Sequence, residues 1–333
     1  MIEMLLTHVD LARLRFAHSA VGEIVMSLRV LQERSRQHMY GKWISDVRGQ
    51  LRGLGQELDL LLALAPIGRY LPDFVIPPPT QPWGVLADEL ELIAATPPCR
   101  VRSELEQVYQ DRPMPAVLRP LHEDPTRYLP DVVGAMNRYW QAAVEPVWPR
   151  LQALCMADLT YRTEQFATGG IARVLDDLHP EISFLADRLC IDKPHHCHHR
   201  FDLTGTGLLL VPCAFSWSTL IVGCCGQAVP TLTYPPRGVA ELCEKSRAEQ
   251  TDPLCALVGR TRTTLLATLD LPRTTTQLAE QLALSPAAVS QHLKILKGTA
   301  LVTGRRRGRM VLYQRTAAAT ALLAAIQPDG CAG

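Results

Sequence analysis

The residues best suited to chemistry lie near the C-terminal end of the sequence, on a segment that opens at Ser285-Pro286. Ser290 and Gln291 come first on this segment, and Lys294 and Lys297 follow. Hydroxyl and amide side chains can hydrogen-bond to base edges, whereas ammonium groups pair with phosphate. The order of these residues predicts a surface that contacts a nucleic acid.

An arginine-rich tip follows between two apolar segments. The tip begins at Gly304 and contains Arg305, Arg306, Arg307 and Arg309. The four arginines would repel one another in an ordinary surface turn, but a phosphate backbone neutralises them as counterions are released. Residues 302–313 are therefore predicted to form a β-hairpin, or wing, that lies against DNA.

The charge distribution separates this region from the rest of the chain. Residues 251–316 hold ten Lys and Arg residues and three acidic residues, although the whole chain has a net charge of only +1. A basic module joined to an acidic body indicates a polyanionic partner for the module alone.

Two helices are predicted to carry the candidate residues. Thr274 and Gln277 have the spacing of a capping box, and apolar residues follow them. Ser285 is a good N-cap for a second helix that runs to about residue 298. On that helix Val289, Leu293 and Leu296 fall on one side. The predicted DNA-contacting residues are Ser285, Ala287, Ser290, Gln291, Lys294, Lys297, Arg305, Arg306, Arg307 and Arg309.

These segments resemble the ArsR-type winged-helix repressors. The resemblance covers residues 256–262, the helix at 274–282, residues 285–296 and the hairpin at 302–313. Its S-x-H-L-x-x-L core is Ser290, His292, Leu293 and Leu296. It implies a bacterial transcriptional regulator, usually a homodimer, that leaves its operator on double-stranded DNA when a signal arrives.

The sequence departs from the metal-sensing members of that family. Those members carry a cysteine motif on the helix that matches 274–282, and no cysteine lies between Thr274 and Tyr313 here. We expect no arsenic or cadmium sensing of their kind, and instead a small-molecule effector. Looser similarities at 14–17, 148–170, 208–212 and 234–238 resemble a larger subgroup with an uncharacterised N-terminal domain.

The predicted fold class is α+β, mainly α. Residues 1–245 are predicted to form an effector or dimerisation region, helical over 1–179, with a small antiparallel sheet at about 180–235. A helix is predicted to run to about Phe166, and a short helix that ends near His179-Pro180 follows Gly169-Gly170. Residues 252–320 are predicted to form the winged helix-turn-helix.

A second cluster has metal-binding chemistry. In an extended segment His195, Cys197 and His199 share one face, and imidazole with thiolate suits zinc, copper or nickel. The competing interpretation is a histidine-rich loop that binds metal only adventitiously. Cys213 and the neighbouring Cys224-Cys225 lie in apolar sequence and are predicted to be buried, unreactive thiols.

The remaining features limit the function classes. No signal peptide or membrane span is predicted, and the cysteines are interpreted as reduced thiols in the cytoplasm. No paired catalytic motif is found, so we predict no enzyme activity and no cofactor. Three alternatives remain: a metal-responsive regulator that uses 195–199, an enzyme fused to a DNA-binding module, and a winged helix that docks proteins.

Overall fold

The computed structural model describes residues 1–33, 37, 39–68, 70–185, 187–192, 199–217, 219–223, 229–239, 258–270, 272–282, 284–307 and 310–325. The chain divides into two compact units, one made of residues 1–32 and 44–236 and the other of residues 33–43 and 237–333. The predicted boundary between 245 and 252 falls in the stretch outside the described residues, so the domain limits stay a prediction.

Helices make up most of the first unit. They are α1 (His8–Ala12), α2 (Ala20–Gln32), α3 (Gly41–Arg52, which starts in the other unit), α4 (Gln56–Leu64), α5 (Leu86–Ala94), α6 (Pro98–Val108), α7 (Arg119–Glu123), α8 (Pro125–Tyr139) and α9 (Trp148–Asp176). Helix α2 is buried at every position from Ala20 to Val30. A helix that is apolar on most of its surface lies inside a larger core, and α2 is the central helix of this unit.

Helix α9 continues past its predicted end near Phe166, as far as a kink. Helix α9 is interrupted at Gly170, whose φ of 68° and ψ of −171° are not helical. Glycine adopts positive φ without the steric cost that a Cβ would bring. The 29-residue segment is thus two helices joined by this kink.

Two small sheets complete the first unit. Their strands are β1 (Ile2–Leu5), β2 (Arg15–Phe16), β3 (Ile182–Leu185), β4 (Arg188–Ile191), β5 (His199–Asp202), β6 (Leu209–Pro212), β7 (Ile221–Gly223) and β8 (Thr231–Tyr234). The order is β3-β4-β1-β5 in one sheet and β2-β6-β8-β7 in the other. The α+β, mainly α fold class is therefore confirmed.

The prediction of one antiparallel sheet is wrong. Strand β1 runs antiparallel to β4 but parallel to β5, and β6 runs parallel to both β2 and β8. Sequence alternation reveals that a strand exists, but it does not reveal which distant segment lies beside it. Here β1 and β2, from the start of the chain, add to sheets whose other strands follow residue 180.

The second unit contains a winged helix. Its elements are α10 (Arg260–Thr268), β9 (Arg273–Thr274), α11 (Thr275–Gln281), α12 (Pro286–Gly298), β10 (Val302–Arg307), β11 (Met310–Arg315) and α13 (Ala317–Ala325). The three strands form one antiparallel sheet in the order β10-β11-β9. Among all described residues of the chain, no helix has the length and apolar character that crossing a bilayer requires.

Candidate nucleic-acid interface

Helix α11 begins with the predicted capping box, which is confirmed. The backbone N–H of Gln277 donates to Thr274 Oγ1 at 3.2 Å, and the backbone N–H of Thr274 donates to Gln277 Oε1 at 2.9 Å. Two amides that a helix start leaves unpaired are therefore satisfied locally. Thr274 also pairs with Leu312 of β11, which ties the start of α11 to the wing.

The second helix of the motif, α12, begins as its sequence predicts. Ser285 has extended backbone angles, and its Oγ accepts the Ala288 amide at 3.2 Å. Pro286 occupies the first turn, where its missing N–H costs nothing. Ser285 is exposed at the helix N-terminus, so its hydroxyl can still be reached from solvent.

One face of α12 is buried in the apolar core of the winged helix. Val289, Leu293 and Leu296 are at most 1% exposed. They pack in a cluster with residues of α10, α11, β10 and α13. This packing fixes the rotation of α12, and it thereby decides which of its residues face outward.

The opposite face of α12 presents the predicted residues to solvent. The exposed residues are Ala287, Ser290, Gln291, Lys294 and Lys297. At about 100° per residue they lie within one side of the helix, with small and amide side chains near its N-terminus and lysines toward its C-terminus. A helix with this profile can bring its backbone close to base edges while its ammonium groups reach phosphate.

Helix α12 ends in a Schellman motif that no sequence signal predicted. The Leu301 amide donates to the Leu296 carbonyl at 2.9 Å, and the Ala300 amide donates to the Lys297 carbonyl at 3.1 Å. Ala300 takes the left-handed position of the motif, with φ of 56°, where glycine is the usual residue. The motif turns the chain directly into strand β10.

The predicted wing is a regular hairpin. Strands β10 and β11 pair from Val302 opposite Arg315 to Arg307 opposite Met310. Gly304 lies opposite Tyr313, and a Cβ at Gly304 would be 3.1 Å from the tyrosine ring. The missing side chain therefore lets the ring cover the neighbouring strand.

The structure describes the side chains of only some of the wing arginines. Arg305 and Arg306 are exposed on consecutive residues of β10, so their side chains point to opposite faces of the hairpin. Arg307 belongs to β10, but its side chain lies outside the described residues, as does the whole of Arg309. The assignment of the ten predicted residues to DNA contact stays a prediction.

Two other arginines of the basic module serve the fold. Arg315 Nη1 donates to the carbonyls of Leu266 and Ala267 at 3.4 and 3.2 Å, near the end of α10. Arg273 is 3% exposed, and its Nε donates to the Thr268 carbonyl at 3.1 Å. Cations near a helix C-terminus stabilise its unpaired carbonyls. The net charge of the module therefore overstates what it can offer to DNA.

The second predicted cluster lies mostly outside the described residues, which resume at His199. That residue begins β5, opposite Ile2. The choice between a metal-binding cluster and a histidine-rich loop stays a prediction. Cys224 and Cys225 also lie outside the described part. Cys213 is 1% exposed, and burial raises the pKa of its thiol well above the usual range, in agreement with the predicted buried thiol.

Residues 264–303 match the family model described as "Bacterial regulatory protein, arsR family". This range runs from α10 to the start of β10 and includes the whole helix-turn-helix. The resemblance to ArsR-type regulators is thus confirmed for this segment. The match does not reach the first unit.

Solved structures with similar sequences include two mutants of ZitR from Lactococcus lactis and reduced HlyU from Vibrio cholerae. Each ZitR match is 32% identical over 20% of this chain and 47% of that one, with a TM-score of 0.19. The HlyU match is 28% identical over 28% of this chain and 99% of that one, with a TM-score of 0.21. The chain thus spans about half the length of the ZitR structures. No curated protein matches the chain.

Proposed function

We propose that this protein is a sequence-specific transcriptional regulator that binds double-stranded DNA through α12 and the wing. The proposal depends on one observation, which is that α12 has a buried apolar face and an opposite, exposed face. The exposed face consists of Ser290, Gln291, Lys294 and Lys297. The family match over 264–303 supports the same class.

In this proposal, helix α12 and the wing contribute differently to DNA binding. Gln291 can form paired hydrogen bonds with an adenine edge, and Ser290 can contact several bases, so the face of α12 selects sequence. Arg305 and Arg306 contribute phosphate contacts, which add affinity for any duplex. A protein-docking winged helix would not need exposed arginines on both faces of the hairpin.

We further propose that the regulator is a homodimeric repressor released by an organic effector held in the first unit. One winged helix covers few base pairs, so selectivity requires two half-sites related by a two-fold axis. The lack of cysteine between Thr274 and Tyr313 speaks against thiolate sensing at the DNA-binding helices.

The test is selection of duplexes from a random library by the full chain, followed by sequencing. We expect an inverted repeat whose half-sites are one helical turn apart, about 10 base pairs. Light scattering at micromolar concentration should give twice the chain mass of 36.9 kDa. Recovery of random sequence would contradict base reading, and a monomer with and without DNA would contradict the dimer.

The effector proposal has its own test. Operator binding is titrated with arsenite, cadmium, zinc, nickel and copper at low micromolar free concentration. It is then repeated with residues 195–199 all changed to alanine. We expect no release from either protein. Release from the parent alone would make that cluster a sensor and would contradict an organic effector.

A further inference from the structure

Four buried side chains with metal-binding chemistry meet in the first unit. Glu23 belongs to the first turn of α2, His18 precedes that helix, Cys155 lies on α9, and Cys213 follows β6. Their exposed fractions are at most 1%. Imidazole, carboxylate and thiol groups are usually kept in the interior only where they are paired or bind a ligand.

The spacing of three of these groups fits one cation. The ligand atoms of His18, Glu23 and Cys155 all lie within 4.8 Å of one another. His18 Nε2 is 3.2 Å from Glu23 Oε1. Two donors that share a tetrahedral zinc ion with bonds of about 2.0–2.1 Å are about 3.3 Å apart, so this pair already has the required separation. Cys155 would close the site with a small shift.

The Glu23 carboxylate is held in place by the backbone. Its Oε1 accepts the Ala214 amide at 2.7 Å, and its Oε2 accepts the Phe215 amide at 3.0 Å. Each oxygen also accepts a second hydrogen bond, Oε1 from His18 Nε2 and Oε2 from the Cys213 thiol, both at 3.2 Å. A cation bound by Glu23 and His18 would take the place of the proton between them. Ligating carboxylates are typically oriented by outer hydrogen bonds of this kind.

The imidazole of His18 is held just as firmly but is incompletely paired. Its ring stacks on Trp148 with a centroid distance of 4.6 Å and an interplanar angle of 9°. Its Nδ1 is buried and has no hydrogen-bond partner. Either neutral tautomer therefore leaves one ring nitrogen without a hydrogen bond, and binding a cation through Nε2 would move the ring proton from Nε2 to Nδ1.

We propose that His18, Glu23 and Cys155 bind a resident borderline-soft divalent cation of the zinc type. The nitrogen, oxygen and sulfur donors suit zinc and exclude magnesium and calcium, which select oxygen. Binding replaces the Cys155 proton, which passes to solvent. One thiolate and one carboxylate then offset the two positive charges, so the buried cluster of three ligands and cation is neutral.

This site is separate from the candidate at 195–199, and it departs from the expectation that the chain has no cofactor. Its ligands come from α2, the residues just before α2, and α9, so the cation would join the central helix to α9. The proposal concerns a resident ion of the first unit and does not depend on DNA binding.

The test uses the full chain with residues 195–199 changed to alanine, so that adventitious binding there is removed. After loading with Co²⁺ and gel filtration, we expect one retained ion per chain and a thiolate-to-cobalt charge-transfer band. Cys155→Ser should abolish the band, and His18→Gln should weaken retention at least tenfold. The matched control is Cys99→Ser, because Cys99 is an exposed thiol on α6. It should retain both ion and band.

A second measurement stays informative if the variants fold poorly. X-ray absorption of the zinc-loaded protein, again with 195–199 changed to alanine, should show at least one sulfur ligand at about 2.3 Å. A shell of only nitrogen and oxygen would identify an adventitious ion and overturn the proposal. Failure to retain any ion, or a charge-transfer band that survives Cys155→Ser, would also overturn it.

Discussion

The starts of the helices are capped differently in the winged helix and at the central helix of the first unit. In the winged helix, Thr274 and Ser285 cap their own helices. In the first unit, the start of α2 is capped by Glu89 of a different helix, which accepts the Ser19 hydroxyl and the Val21 amide. Among the described residues, every fully buried carboxylate belongs to the first unit. A long-range contact therefore caps the central helix of the first unit, whereas local caps begin both helices of the helix-turn-helix.

The largest loss of stability is expected where a buried ion pair is broken. Arg162 is 1% exposed, and its guanidinium is 3.5 Å from Asp158 Oδ1 and 2.8 Å from Asp177 Oδ2. Arg162→Met removes the cation but leaves the Asp158 carboxylate in the interior, which should cost about 3–5 kcal/mol. Hydrogen exchange of α9 peptides in the full chain measures this destabilisation.

The matched control for that substitution is Arg138→Met. Arg138 pairs with Glu57 at 2.6 Å, but its side chain is 51% exposed. Solvent screens such a pair, so exchange of the surrounding helix should stay close to that of the parent. Equal destabilisation by the two substitutions would mean that burial does not set the strength of these networks.

The next effect concerns the apolar core of the second unit. Leu293→Ala should destabilise the winged helix by about 2–5 kcal/mol, because Leu293 is fully buried among leucines. Ile295→Ala, on the same helix at 41% exposure, should change little. Hydrogen exchange of the α12 amides measures the destabilisation that each substitution causes. A larger destabilisation by Ile295→Ala would show that the rotation of α12 has been wrongly assigned.

The same contrast explains what the sequence could predict. The capping box, the Ser285 cap and the buried row on α12 follow from short-range spacing, so they were predictable. The pairing of β1 with β5 and the meeting of His18 with Cys155 join residues far apart in sequence. Single-sequence periodicity carries no signal for either. The left-handed Ala300 was missed because alanine usually favours the helix interior.

A smaller effect is expected on the salt dependence of DNA binding. It should distinguish the arginines proposed to face DNA from those that support the fold. Arg305→Ala with Arg306→Ala should flatten the plot of log K against log salt by about 0.9 for each phosphate that is no longer neutralised, whatever the duplex. Arg315→Gln should leave that slope unchanged, because its guanidinium is bound to α10 carbonyls, and should lower the stability of the winged helix instead. An unchanged slope in the wing variant would remove the wing from the interface.

The smallest effect is a gain in stability. Ala300→Gly places glycine at a φ of 56°, which alanine adopts only with strain, and should stabilise the winged helix by about 0.5–1 kcal/mol. Slower exchange of the α12 C-terminal amides would register the gain. Gly298→Ala, at a helical position with open space for a Cβ, is the complementary control and should also stabilise. Faster exchange in Ala300→Gly would contradict the Schellman motif.

The most direct test of the central claim measures how the full chain binds one selected duplex and one scrambled duplex. The parent should discriminate strongly between them. Ser290→Ala with Gln291→Ala should reduce that discrimination by about 1–3 kcal/mol for each base that these side chains recognise, while binding of the scrambled duplex and its salt slope stay the same. If the double variant kept the full preference for the selected duplex, the exposed face of α12 would not be the surface that reads DNA.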